Sequence, residues 1–364
     1  MLIKSGYFTL LFCFDVADEI LLDKIEKILG KRPAEAFLEL KRITPEFIQY
    51  RVPPLRVKLG KRTINIDGKN YVFSYDAKIY DFGAIALRYW VPINGLKIKD
   101  LQNLAASLSY NKKILADAKQ QIAKLVKELE SAIIGKVSNG EYDEYSLFYI
   151  TELEKPINAE ELIKLHGIQI ANALSCEAKA LSKEEIESAL KKPISYYPND
   201  LILIDANAAF ILEPEKSYDA LDVIEYSLLE LLELRTYDEK LDKFLDQTYD
   251  RVKEIKPSLW IIPKLNKILK DLLRFKIEVI DVIDKVENSL KLFGDAYLVK
   301  IYSLSAEINQ IASWKESVKS KLNTIVDIYS ILSSKMDAQR DYFLEMAIVL
   351  LFILDIFIFV FLVK

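Results

Sequence analysis

One acid inside a lipid-length apolar run, and one cluster of cations, are the residues of this chain whose type and spacing could do chemistry. From Met346 to Val363 every residue is apolar except Asp355. A carboxylate near the middle of a bilayer costs about 2.5–3.5 kcal/mol on insertion scales, so it must be protonated, paired or turned toward another helix. With one such run per chain, the partner this predicts is the same run in a second copy, and hence a homo-oligomer. Glu345, one residue before the run, falls at the membrane edge, where a solvated carboxylate needs no partner. The cations lie in Lys31–Arg62, where Lys31, Arg32, Lys41, Arg42, Arg51, Arg56, Lys58, Lys61 and Arg62 face three acids, Glu35, Glu39 and Glu46. In a chain of net charge −4 that local excess suits RNA phosphates or an anionic lipid surface, each basic group near a membrane adding about 1 kcal/mol. An exposed, proline-punctuated loop with ordinary lysines is the alternative.

Little else in the sequence suggests a reaction. His166 is the only histidine, which excludes a multi-histidine metal site and a pair of catalytic imidazoles. Cys13 and Cys176 are far apart and form no metal-binding spacing, so each reads as a small buried apolar residue. Gly135-Lys136 lacks the glycine-rich loop before it and the hydroxyl residue after it that phosphate binding needs. The acid clusters Glu184-Glu185-Glu187 and Glu225-Glu230-Glu233 read as solvated helix faces. No cofactor, no metal and no catalytic residue are expected.

The elements that must position these groups fall into three parts. Residues 1–216 read as an α+β domain, 217–342 as a helical stalk, and 343–363 as one transmembrane helix. The first part opens with a strand at Tyr7–Val16, whose apolar stretch Tyr7 to Phe14 is too short and too soon followed by Asp15, Asp18 and Glu19 to be a leader. Its large soluble portion is therefore expected in the cytoplasm, with the C-terminus across the membrane. A helix capped by Asp18 is predicted at Glu19–Leu29, then a looser segment over 31–62. Strands follow at Tyr71–Tyr80 and Ala84–Val91 around the turn Asp81-Phe82-Gly83, then helix from Ile98 to Ile134. The pattern restarts with a strand at Tyr145–Leu153, a helix at Ala159–Leu174, and strands at Leu201–Ile204 and Ala208–Leu212. The hairpins align without a gap, Asp81 on Asp205 and Gly83 on Asn207, which hints at two similar β-α-β-β-α halves, 1–140 and 141–216 with the helix after it. Chance matching of two short hairpins is the alternative.

From Ser217 the sequence carries helical period and no strand signal, with breaks at Pro257 and Gly294. After Gly294 apolar residues at spacings of three and four run from Ile301 through Ile311, Val318, Ile325 and Leu332 to Met346. That seam predicts a coiled coil continuous with the membrane helix, a rod about 100 Å long, whose partners are either the stalk's own antiparallel helices or the stalks of other subunits.

Two stretches resemble a known family. L-E-M at Leu344–Met346 with an acid eleven residues after the leucine, at Asp355, is similar to the tail of the required-for-meiotic-nuclear-division (YagE-like) family, with Met346 in place of the usual tryptophan. Lys321–Arg340 looks like that family's helical approach to the membrane, and residues 71–87 resemble its phenylalanine-rich hairpin. The resemblance implies a distant member: a membrane-anchored α+β protein without established catalysis, whose eukaryotic relatives are linked to support of translation at the mitochondrial inner membrane. The function expected is a non-enzymatic, tail-anchored scaffold or tether that holds a cytoplasmic partner, ribosomal or RNA-containing, at the bilayer. The alternative is an oligomeric ion-conducting protein with Asp355 in its path.

Overall fold

The computed structural model describes residues 1–29, 41–42, 48–50, 52–135, 141–253, 261–292 and 295–362. In chain order its elements begin with β1 (Ile3–Asp15), β2 (Glu19–Ile20), α1 (Leu22–Leu29), β3 (Lys41–Arg42), β4 (Ile48–Tyr50), β5 (Leu55–Ile66), β6 (Lys69–Ile79) and β7 (Ala84–Pro92). They continue with α2 (Leu101–Leu108), α3 (Lys112–Leu129), β8 (Ile133–Ile134), β9 (Tyr142–Leu153), α4 (Ala159–Leu174), α5 (Lys183–Ala189), β10 (Leu201–Ile204) and β11 (Ala208–Leu212). The remainder is α6 (Asp219–Lys253), α7 (Ile261–Ser289), β12 (Leu290–Leu292), α8 (Ala296–Ile308) and α9 (Ile311–Leu362).

The chain divides into two compact units, Met1–Leu234 with Asp284–Ala312, and Arg235–Ile283 with Ser313–Lys364. The first is built on an eight-stranded sheet in the order β10-β11-β9-β1-β7-β6-β5-β3. Side chains alternate across a strand, and β1 uses both faces. Phe8, Leu10, Phe12 and Phe14 join a buried cluster with Leu101 and Ala105 of α2, Ile114 and Ala118 of α3, and Leu162 and Ile170 of α4. On the other face Thr9, Leu11 and Cys13 are equally buried, and the first turns of α6 cover that side. Those turns are covered in turn by α8, where Ser227 and Ser305 share a hydrogen bond of 2.5 Å and Tyr302 donates to Glu230.

Several sequence expectations are corrected here. The looser segment over 31–62 holds a long strand, β5, whose alternate outward residues are polar and so hide its periodicity. Asp18 does not cap a helix from Glu19: residues 19–20 pair with 133–134, and α1 starts at Leu22. The helix expected over 98–134 breaks at Tyr110, which adopts a positive φ of 55°, and restarts under an Asn111 cap. A strand exists beyond Ser217, β12, paired antiparallel with β4. The single rod expected after Gly294 is interrupted at Gln310 (φ 53°), where Asn309 turns both its backbone N–H and its side-chain amide to the Ser305 carbonyl and closes α8. The two hairpins differ in setting: β7 lies antiparallel to β1, whereas β11 lies parallel to β9.

The second unit is helical. Ser317 Oγ donates to Asp238 at 2.6 Å, Lys321 bridges Asp238 and Asp242 at 2.9 and 2.6 Å, and the Phe244 and Phe275 rings stack at 4.2 Å. The seam residues Val318, Ile325 and Leu332 are buried, but every residue from 340 to 360 is exposed. Among the described residues one helix is long and apolar enough to cross a membrane. Its most apolar 18-residue window has a mean hydropathy of 2.8 and is wholly exposed. At 1.5 Å per residue the 52 residues of α9 span roughly 78 Å.

Candidate functional site

Asp222 and Glu225 lie one helical turn apart on α6 and meet two cations of the sheet, Lys78 on β6 and Arg88 on β7. Arg88 donates through Nε to Glu225 at 2.5 Å and through a terminal nitrogen to Asp222 at 2.6 Å. Lys78 Nζ lies 3.1 Å from Asp222 and 3.8 Å from Glu225, and Tyr80 donates to Glu225 at 2.7 Å. All four charges are buried, so each carries a large desolvation cost that only its partners offset. Burial lowers the Lys78 ammonium although both acids pull the other way. Burial also opposes the Arg88 charge, but Glu225 and Asp222 more than compensate and hold its pKa well up. Burial raises the Asp222 carboxyl less than Lys78 and Arg88 lower it, so it sits below the ordinary carboxylate range. Two cations thus meet two carboxylates, and the network ties α6 to the sheet. The Cys13 thiol beside it is pushed well up by burial and then by Glu225, which leaves it inert.

Sequence reasoning missed this arrangement: Glu225, Glu230 and Glu233 are buried rather than solvated, while Glu184, Glu185 and Glu187 are exposed as expected.

Beside the network the same sheet face opens into a cleft of about 580 Å³. Its position follows from a bulge in β5. The register against β6 shifts between Lys58 and Gly60, so Leu59 is the extra residue and the parity of the strand reverses. Lys58 pairs opposite Asp76 and Lys61 opposite Ser74, and Arg56, Lys58 and Lys61 therefore line one cleft together. Arg62, one residue on, falls on the opposite face and holds Asp117 of α3 at 2.6 Å. The cleft's remaining walls are Tyr7, Trp90 and Tyr218. Tyr7 meets Trp90 edge-on at 5.8 Å, Trp90 meets Tyr218 edge-on at 6.0 Å, and Tyr149 stacks behind Tyr218 at 5.0 Å. Tyr7 and Tyr218 remain 37% and 40% exposed. Asp76 forms the floor, with both carboxylate oxygens engaged by Arg56 at 3.1 and 3.0 Å and by the Trp90 indole at 2.7 Å. The Arg56 guanidinium lies 5.9 Å from the Tyr218 ring centre.

Of the nine basic residues singled out in the sequence, three line the cleft and Arg62 is committed to Asp117. Lys31, Arg32 and Arg51 lie outside the described residues; Lys41 and Arg42 form β3 at the sheet edge. The turn residues are structural. Gly83 (φ 99°) packs so closely that a Cβ would stand 1.7 Å from the Ala17 carbonyl oxygen, and Asp81 accepts the Ile20 N–H through its backbone. Asp205 accepts the Ala206 N–H at 2.8 Å, and Asn207 accepts the Tyr110 hydroxyl at 3.0 Å. Near Tyr110, burial raises the Glu144 carboxyl to about 7 although it accepts the Tyr110 N–H at 2.5 Å. Burial likewise raises the Cys176 thiol. Glu345 and Asp355 stand on the exposed part of α9. Among the described residues no group of three or more His, Cys, Asp or Glu is placed to hold a metal ion.

Residues 5–219 match the family described as the N-terminal domain of the uncharacterized protein MJ0711. A relative carrying that description, the uncharacterized protein MJ0711 of Methanocaldococcus jannaschii, is 29% identical over 215 residues, which is 59% of this chain and 65% of the relative. The match thus spans less than two thirds of that relative's length. No solved structure matches. The matched stretch includes every residue that lines the cleft and stops short of Asp222 and Glu225.

Proposed function

The chain belongs to the MJ0711 N-terminal domain family, and from that premise we propose that it is a non-enzymatic, membrane-anchored scaffold whose sheet unit binds a partner and whose α9 holds that partner at a bilayer. The observation that carries the reading is the fully exposed apolar window of α9, a surface that water does not tolerate and lipid does. The cleft supplies the binding half, because cations and open aromatic rings suit a ligand with phosphate and planar groups. In this reading the chain is also a distant member of the required-for-meiotic-nuclear-division family, which makes a ribosomal or RNA-containing partner the first to look for, and the seam of α9 is a coiled-coil approach to the membrane. The sheet unit then lies on the cytoplasmic side.

Crosslinking in intact membranes followed by affinity purification of the full chain tests this. Recovery of ribosomal proteins or RNA with the membrane-bound chain is the expected result. A chain found in the soluble fraction without partners overturns it. Asp355 favours a second reading, an oligomer that conducts ions along the acid. A partner-free ring that conducts in liposomes would establish that reading, and Asp355→Leu would abolish its current.

A further inference from the structure

We infer that the cleft between β5 and Tyr218 is a nucleotide subsite, taking a nucleobase against its aromatic walls and a phosphate at Lys58 and Lys61. This deepens the scaffold reading and rests on it for the cleft's exposure to a cytoplasmic partner.

The ligand class follows from what the walls offer. Tyr7, Trp90 and Tyr218 meet edge to face, Trp90 is buried and Tyr149 stacks on one side of Tyr218, so the ring faces still accessible belong to Tyr7 and Tyr218, 37% and 40% exposed. A planar base can stack on those faces, whereas a polyol headgroup cannot. Arg56 and Asp76 offset each other, and the lining adds Lys58 and Lys61 with no second acid, so its balance selects an anion. Asp76 does not reverse that preference, since both its oxygens are already held by Arg56 and Trp90. The bulge contributes polarity without charge. Gly60 has a φ of 111°, and no atom lies within 4 Å of the place a Cβ would occupy, so the backbone at the bulge faces open space beside Ser74 and Lys61. A bulge leaves backbone groups outside the ladder, free to bond a phosphate or ribose oxygen. The cavity of about 580 Å³ lies inside the range of about 300–1,000 Å³ usual for small-molecule sites. Such chemistry is met by a free nucleotide or by one nucleotide of single-stranded RNA.

Trp90 reports on the site. The full chain in detergent micelles, with Trp260→Phe and Trp314→Phe so that Trp90 alone emits, is titrated with UMP, AMP, uridine, inorganic phosphate, glycerol phosphate and a ten-residue oligouridylate. A nucleotide is expected to quench Trp90 saturably and to bind about tenfold or more tightly than uridine, phosphate or glycerol phosphate. Tyr218→Ala, and Lys58→Glu combined with Lys61→Glu, should each weaken binding about tenfold, within the range for losing a base–aromatic stack. Tyr218→Phe should keep it, which separates stacking from misfolding. Tighter binding of the oligouridylate than of UMP identifies RNA as the source; equal binding identifies a free nucleotide. The proposal is overturned by no quenching, by phosphate or glycerol phosphate binding as well as UMP, or by binding unchanged in the charge-reversed variant. If partners still crosslink while nucleotide binding is absent, the subsite fails and the scaffold stands. If nucleotide binds but the chain is soluble and partner-free, the scaffold fails and the subsite stands.

Discussion

The first turns of α6 and the last turns of α9 both set acids among apolar side chains, and they meet the cost in opposite ways. Asp222 and Glu225 are given Arg88, Lys78 and Tyr80 within hydrogen-bonding reach, so their charges are compensated inside one fold. Asp355 stands in the wholly exposed apolar part of α9, outside the packing of its own unit. An internal partner makes an acid part of the fold's stability, and an external one makes it a device for association.

The largest effect tests the first half of that contrast. Arg88→Met leaves two buried carboxylates with Lys78 as the one cation of the network and is expected to cost about 3–5 kcal/mol, read as a shift in the urea midpoint of the full chain in micelles. Adding Lys78→Met, Glu225→Leu and Asp222→Leu should recover much of the loss, because removing a whole buried network is cheaper than breaking it. A loss below about 1 kcal/mol from Arg88→Met would show that the network does not hold α6. Asp355→Leu should ease membrane insertion by about 2.5–3.5 kcal/mol and leave that urea midpoint unmoved, while the crosslinked dimer fraction falls. An unchanged dimer fraction would mean that the acid finds its partner in lipid or solvent. Glu144 is the intermediate case, partly buried and accepting the Tyr110 backbone N–H. Its carboxyl is raised in the folded chain from 4.5 to about 7, so the folded state binds the extra proton. The contribution of Glu144 to stability is then fully present below about pH 4.5 and lost as pH rises through about 7. The loss should reach about 1–2 kcal/mol by pH 8, discounted for partial exposure, and Glu144→Gln should abolish this pH dependence of the thermal midpoint.

The sheet's apolar strands were legible because burial on both faces leaves a continuous apolar run. Leu201–Ile204 and Ala208–Leu212 carry it and are strands with those bounds. The α4 bounds were legible for another reason, helical period ending where Ser175 begins the turn to Cys176, itself at a φ of 59°. β5 was hidden because its cations alternate outward and Gly60 with the upstream prolines imitates a loop. The four-charge network was illegible in principle, since Arg88 and Glu225 lie 137 residues apart and nothing local marks either as buried. The cleft shares that difficulty. Tyr7, Trp90 and Tyr218 come from β1, β7 and the approach to α6, so their meeting is a product of strand order. Three of the nine cations singled out in 31–62 line the cleft, and the bulge at Leu59 decides which of them reach it.

The sheet unit is discontinuous along the chain, Met1–Leu234 with Asp284–Ala312, and this has a consequence in time. When the ribosome has made residue 234, Ser227 and Glu230 still lack Ser305 and Tyr302, their partners on α8. At about 5–20 residues per second the missing segment is complete about 4–16 s later. For that interval α6 lacks these contacts with α8, and the next segment to be made is the apolar helix itself. Completion of the sheet unit and synthesis of the apolar helix are thus adjacent events, and a pause between residues 234 and 312 would prolong the time for which α6 lacks α8.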